Sequence, residues 1–198
     1  MKANDISHEE KKFTELRANL EAMLHESFVK IGYARGQSVG IYYTEELLCH
    51  LLAISNQNPD SAQLSEQILG QLEQFTKENV PLWGNILYSE ENGRYKLTVP
   101  PQGLDYVYER NKDNHFLEEL IAKLAYPNII IDDIIAVFHH YSNDVICEKS
   151  EDDEFEYAVH FADNSIDPFI YCFTFDEMGR YYHRFTEFDY RNLVESDN

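Results

Sequence analysis

The sequence is poor in the residues that carry the commonest functional chemistries. Only 3 of its 198 residues are cysteine. Cys49, Cys147 and Cys172 lie far apart, form no CxxC pair and cannot make an even disulfide framework. That predicts free, buried thiols in a reducing compartment. None has a histidine and a basic group at catalytic spacing, so no thiolate nucleophile is expected. Positive charge is scarce too, with 16 Lys+Arg against 36 Asp+Glu and a formal net charge of -20. A polyanion would be repelled, which disfavours nucleic acid, nucleotides and anionic membranes as partners and permits a basic protein partner. No apolar run approaches the roughly 18–20 residues of a membrane span. The polar stretch from Met1 to Lys12 predicts no signal peptide. A cytoplasmic protein is the expectation.

Motifs for cofactors and metals are missing as well. Gly32, Gly36 and Gly40 recur at a spacing of four but lead into no Lys-Ser/Thr, so they make no phosphate loop and read as a connection with a short strand at Val39–Tyr43. His139 and His140 are adjacent and point roughly 100° apart on a helix, so they cannot both face one ion. The acidic run Glu151 to Glu154 lacks the spacing of a calcium loop and reads as a solvated turn. No metal and no cofactor are expected.

What the chain does have is apolar and aromatic mass, 43% and 14% of its residues, enough to bury a core in one domain or two small ones. The charge is uneven: residues 143–198 alone hold 4 basic and 15 acidic side chains. The N-terminal part reads as helical. Ser7 and Glu10 form a capping box, and Phe13, Leu16, Leu20, Leu24, Phe28 and Ile31 make one stripe ending at Gly32. A helix of about 25 residues would be roughly 37 Å long. Thr44 can cap a second helix with Leu47, Leu48, Leu51 and Leu52 buried. Asp60 with Gln63 can start a third, with Leu64, Ile68, Leu72 and Phe75 inward and Pro81 as its stop.

Asn92-Gly93 then marks a hairpin, which pairs Glu91 with Arg94, Tyr88 with Leu97 and Ile86 with Val99. Further helices are expected over about 104–125, with a break near Lys112–Asn114, and about 132–141. Beyond them helical periodicity gives way to alternation. Phe155, Tyr157, Val159 and Phe161, then Phe169, Tyr171, Phe173 and Phe175, then Tyr181, His183 and Phe185, predict an antiparallel meander with one aromatic face covered by the fourth and fifth helices. Asp189 to Val194 adds a closing helical turn. The fold class is therefore α+β. Residues 1–126 form a helical part carrying a β-hairpin, and residues 127–198 a helix plus a meander of three to four strands, the whole packed as one compact unit.

Two resemblances follow. The order helix, helix, hairpin, helix over residues 44–107, with Gly93-Arg94-Tyr95-Lys96-Leu97-Thr98 and Gly103-Leu104-Asp105-Tyr106-Val107, resembles a winged-helix domain. The helix that would enter a major groove carries Asp60, Glu66, Glu73 and Glu78 against Lys77 alone, the wrong sign for phosphates. The resemblance therefore implies a packing or protein-binding version. The segment Phe175 to Phe185, with Asp189-Tyr190 and Ile41-Tyr42-Tyr43, is similar to small bacterial proteins of unknown function and implies no activity.

His183 is the one candidate catalytic residue. A three-residue loop, Glu177-Met178-Gly179, would pair Phe173 with His183 and Tyr171 with Phe185, setting the imidazole inside the aromatic face and Arg184 beside Cys172 on the other. There it could act as a general base in a cleft, or sit as a hydrogen-bonded structural histidine. The expected function is a non-catalytic protein-interaction module with an acidic surface. The alternatives are an enzyme with a pocket around His183, and a degenerate winged-helix regulator or DNA mimic.

Overall fold

Leucines at spacings of three and four make the first described segment a helix, α1 (Thr14–Ile31). A computed structural model describes residues 13–33, 35–54, 61–91, 93–150, 154–176 and 179–196. The capping residues Ser7, Glu10 and Asp60, the turn residue Asn92, the acidic residues 151–153 and the loop residues 177–178 lie outside that set. The stripe of α1 is buried from Phe13 to Phe28, whereas Ile31, at its exposed end, is 80% accessible.

β1 (Val39–Tyr43) follows, then α2 (Glu45–Leu51), whose Leu47 N–H donates to the Thr44 hydroxyl at 3.2 Å, as the capping reading requires. α3 (Ser61–Trp83) buries Leu64, Ile68, Leu72 and Phe75. Pro81 does not stop it. The helix runs two residues further and ends at Gly84, whose φ of +72° is the left-handed conformation a glycine tolerates.

β2 (Leu87–Glu91) and β3 (Arg94–Val99) pair in the expected register, Glu91 with Arg94 and Tyr88 with Leu97. β1 joins the other side of β3, giving a three-stranded antiparallel sheet in the order β1-β3-β2. Ile86, Tyr95, Leu97 and Val99 turn one face of this sheet into the core that the three helices bury. Each such side chain contributes roughly 1.5–3 kcal/mol. α4 (Pro101–Asn111) uses Pro101 at its first position. Gly103 lets α4 approach closely, since a Cβ there would meet the Trp83 carbonyl oxygen at 2.8 Å.

The helix expected over 104–125 is two helices. α4 ends near the expected break, and α5 (Phe116–Leu124) lies beyond it. The chain forms two compact units, 1–113 and 114–198, divided at that break. In the second unit α6 (Ile131–His139) is followed by β4 (Val145–Lys149), β5 (Tyr157–Phe161), β6 (Phe169–Asp176), β7 (Gly179–Thr186) and α7 (Glu187–Ser196). The four strands form an antiparallel meander in sequence order. The fold class is thus α+β, with an N-terminal helical part, a three-stranded sheet and a C-terminal four-stranded sheet. Among the described residues no helix is long and apolar enough to cross a membrane.

Candidate functional site

Alternation gives the C-terminal sheet two faces, and both carry aromatics. On the inner face Phe161 and Tyr171 meet Phe116 of α5 and Phe138 of α6. The Phe116 ring lies 4.8 Å from Phe138, 5.0 Å from Phe161 and 5.6 Å from Tyr171. Phe161, Tyr171 and Phe173 share this face as the sequence predicts, whereas Phe155, expected beside them, lies on the outer face with Ile170 and Cys172.

The β6–β7 register differs from expectation by one residue. Asp176 pairs with Gly179, so the connection is two residues long and Cys172, not Phe173, faces His183. In a strand a one-residue shift moves every side chain to the opposite face. His183 is therefore exposed on the outer face, stacked 6.0 Å from Phe185 and tilted against Phe155 at 5.4 Å, rather than inside the aromatic layer. Arg184 takes the inner position instead, and its guanidinium lies 4.0 Å over the Phe169 ring. Beside it Asp167, buried, accepts from the Tyr171 hydroxyl at 3.1 Å and the Phe169 N–H at 3.0 Å. Burial, reinforced by the Asp167 charge, holds the Tyr171 phenol well above its ordinary range, while Arg184 partly opposes this.

The outer face is only partly roofed. Thr186 caps α7: its hydroxyl accepts from the Asp189 N–H at 3.0 Å and donates back to the Asp189 carboxylate at 2.7 Å. The helix then packs over β6 and β7, with Tyr190, Leu193 and Val194 on Ile170 and Cys172. Beyond its edge the sheet is open above β4 and β5. The result is a groove of about 620 Å³, floored by Ile146, His160 and Ile170 and walled by Tyr190 and Val194.

Its polar lining is dominated by acceptors. Glu148 stands on β4, and Glu187 and Glu195 on α7, where Glu187 pairs with Arg191 of the same helix. The His160 Nδ1 lies 3.0 Å from the Phe161 carbonyl oxygen. A carbonyl can only accept, so Nδ1 is the donor in this contact. Arg191 is the one lysine or arginine in the described lining. Carboxylates above the aliphatic side chains of Ile146 and Ile170 match a donor-bearing cation with an aliphatic stem. His183 is not among the lining residues.

A family model described as "Domain of unknown function, E. rectale Gene description (DUF3877)" matches residues 13–194. The chain belongs to the DUF3877 family. No curated protein and no solved structure matches it. The family match agrees with the similarity to small proteins of unknown function that the segment around Phe175–Tyr190 carries.

Elsewhere in this DUF3877 chain the fold brings together groups that sequence spacing does not. The Glu119 carboxylate meets the His140 Nδ1 at 2.6 Å and accepts from the Tyr141 hydroxyl at 3.0 Å, tying α5 to the end of α6 across 21 and 22 residues. His139 turns to the Ser142 carbonyl at 3.1 Å, so the two adjacent histidines take different partners, as their angular separation requires. Among the described residues no group of three or more His, Cys, Asp or Glu is placed to hold a metal. Cys49 and Cys172 are buried as expected, whereas Cys147 is exposed because β4 is an outermost strand.

The tyrosines set a pH limit. Burial lifts Tyr43 far above its ordinary value, and burial with the Glu119 contact pushes Tyr141 up to about 12. A phenol whose folded pKa is raised contributes stability that is complete below its unfolded value and lost as pH rises through the folded one. Urea midpoints are therefore expected to hold steady up to about pH 9.5 and to fall between about 10 and 12, less steeply in Tyr141→Phe. Midpoints unchanged through pH 12, or all 14 tyrosines ionising together near 10 in the folded protein, would contradict this.

Proposed function

We propose that this DUF3877 protein is a non-catalytic interaction module, and that its second unit binds a cationic segment of a partner protein in the groove beside α7. One observation supports this above the others: a floor of Ile146, Ile170 and His160 rimmed by Glu148, Glu187 and Glu195, with the single arginine of the described lining already paired. The imbalance of 15 acidic to 4 basic residues over 143–198 favours fast capture of a basic partner. The volume is within the range of roughly 300–1,000 Å³ common for ligand sites.

In the first unit, the succession of α2, α3, the β2–β3 hairpin and α4 is consistent with the winged-helix reading of residues 44–107. α3 exposes Glu66, Glu73 and Glu78, and Lys77 is paired with Glu73. That surface suits protein contact rather than a duplex.

Fluorescence anisotropy with a labelled peptide of about seven residues alternating Lys and Val tests the groove. The Glu148→Gln/Glu195→Gln double variant is expected to weaken binding by about tenfold or more. Replacing Glu66 and Asp105, which leaves the same net charge, should change it by less than about twofold. Equal losses in both double variants, or tight binding of duplex DNA at the same low salt, would overturn the proposal.

A further inference from the structure

The open side of the groove is bounded by β4, and the backbone of that strand is arranged to accept another. β4 is outermost in the sheet and pairs only with β5 among the described strands. The phase of the β4–β5 ladder is fixed at both ends. The Ala162 N–H donates to the Asp144 carbonyl at 3.0 Å, and the Ser150 N–H donates to the Glu156 carbonyl at 3.2 Å. In an antiparallel ladder hydrogen-bonded pairs alternate with non-bonded ones. Ile146 and Glu148 therefore spend their backbone groups on β5. Val145, Cys147 and Lys149 turn their N–H and C=O groups to the open side. Their side chains share the inner face with Phe161, Val159 and Tyr157, while Ile146 and Glu148 project into the groove. Four of the five residues of β4 are exposed.

We infer that the cationic segment enters as an added β-strand on the outer edge of β4, hydrogen-bonded to Val145, Cys147 and Lys149, with alternate side chains laid into the groove. This rests on the proposed function of the groove and specifies how it is occupied. Main-chain pairing supplies affinity, and the pockets under alternate side chains supply selectivity. Side chains of the added strand that flank Ile146 and Glu148 lie about 4.5–5.5 Å from them, Cβ to Cβ. An apolar residue beside Ile146 and a Lys or Arg beside Glu148 match those neighbours, and α7 holds Glu195 and Glu187 across the groove. A strand that put an acidic residue there would meet like charge. The charged residues Glu148 and Lys149 and the short length of β4 discourage indiscriminate pairing of this edge. They make it selective for a segment of complementary charge.

Cys147 is a built-in reporter, since it is the exposed thiol of the three and stands at the middle of the edge. The test adds the Lys/Val peptide to the full chain and follows three readouts. Exchange of the Val145, Cys147 and Lys149 amide hydrogens is expected to slow by about tenfold or more, and alkylation of Cys147 by about fivefold or more. Cys147→Pro removes an N–H that points away from β5, a position an edge strand tolerates. It is expected to weaken the peptide by about tenfold. Should that variant fail to fold, amide exchange in the unaltered protein decides the matter. Peptide binding that depends on Glu148 and Glu195 but leaves all three amides and the Cys147 thiol as reactive as before would overturn strand addition while the groove reading stands. Absence of any peptide binding would overturn both.

Discussion

Phe116→Ala is expected to cost about 3–5 kcal/mol, the range for removing a large aromatic from a packed core. Phe116 is 1% exposed, and its ring makes edge contacts with Phe138, Tyr141, Phe161 and Tyr171. Two of those partners come from the sheet and two from α6 and the turn after it. No collapse of one neighbour can fill the space, because each is held by its own element. The deletion therefore loses the apolar transfer term and keeps most of the cavity. A domain of this size has about 5–15 kcal/mol in hand. Urea unfolding followed by near-ultraviolet circular dichroism should show a lower midpoint with the loss confined to residues 114–198 by hydrogen exchange. A change below about 1 kcal/mol would mean that this ring is not the junction of the second unit.

Asp167→Ala is the second large effect, and His183→Ala measured beside it tests the β7 register. The carboxylate satisfies the Tyr171 hydroxyl and the Phe169 N–H in a buried site. Its removal strands both donors, at roughly 1–3 kcal/mol each, so about 2–6 kcal/mol is expected in total. Asp167→Asn keeps an acceptor oxygen and should recover part of the loss. His183→Ala, by contrast, removes an exposed ring and should cost less than about 1 kcal/mol. The reverse ranking, a severe His183→Ala and a mild Asp167→Ala, would restore the register in which the histidine is buried.

That register shows where sequence reasoning stops. In the β2–β3 hairpin the Asn-Gly pair allows one tight turn, and the pairing of Glu91 with Arg94 follows. The β6–β7 connection carries no comparable signal. Glu177-Met178 and Glu177-Met178-Gly179 both close a hairpin, and strand alternation favours the wrong one. Tyr181, His183 and Phe185 look like the buried set beside Tyr182, Arg184 and Thr186. Alternation identifies an inner face only when the other face is wet, and here α7 roofs part of the second face, so aromatics belong on both. Arg184 reaches the inner face and lies over Phe169, a placement that hydropathy alone argues against.

The helices were more legible. The stripes on α1 and α3 repeat at helical spacing and are buried almost throughout. Pro81 misled because a proline near a helix end removes one N–H without ending the helix, and it is Gly84 that turns the chain. The groove and the Glu119–His140–Tyr141 cluster could not be read from spacing at all. Their members come from α5 and the end of α6 in one case, and from β4, β5, β6 and α7 in the other, so only the folded topology assembles them.

The most direct test of the account is an amide chemical-shift map of the isotopically labelled protein titrated with the alternating Lys/Val peptide. Saturable shifts are expected, confined to residues 145–149, 158–164 and 187–195 and reduced in Glu148→Gln/Glu195→Gln. Shifts spread over the acidic face of α3 and the rest of the surface, or none at concentrations where the peptide is in excess, would contradict it.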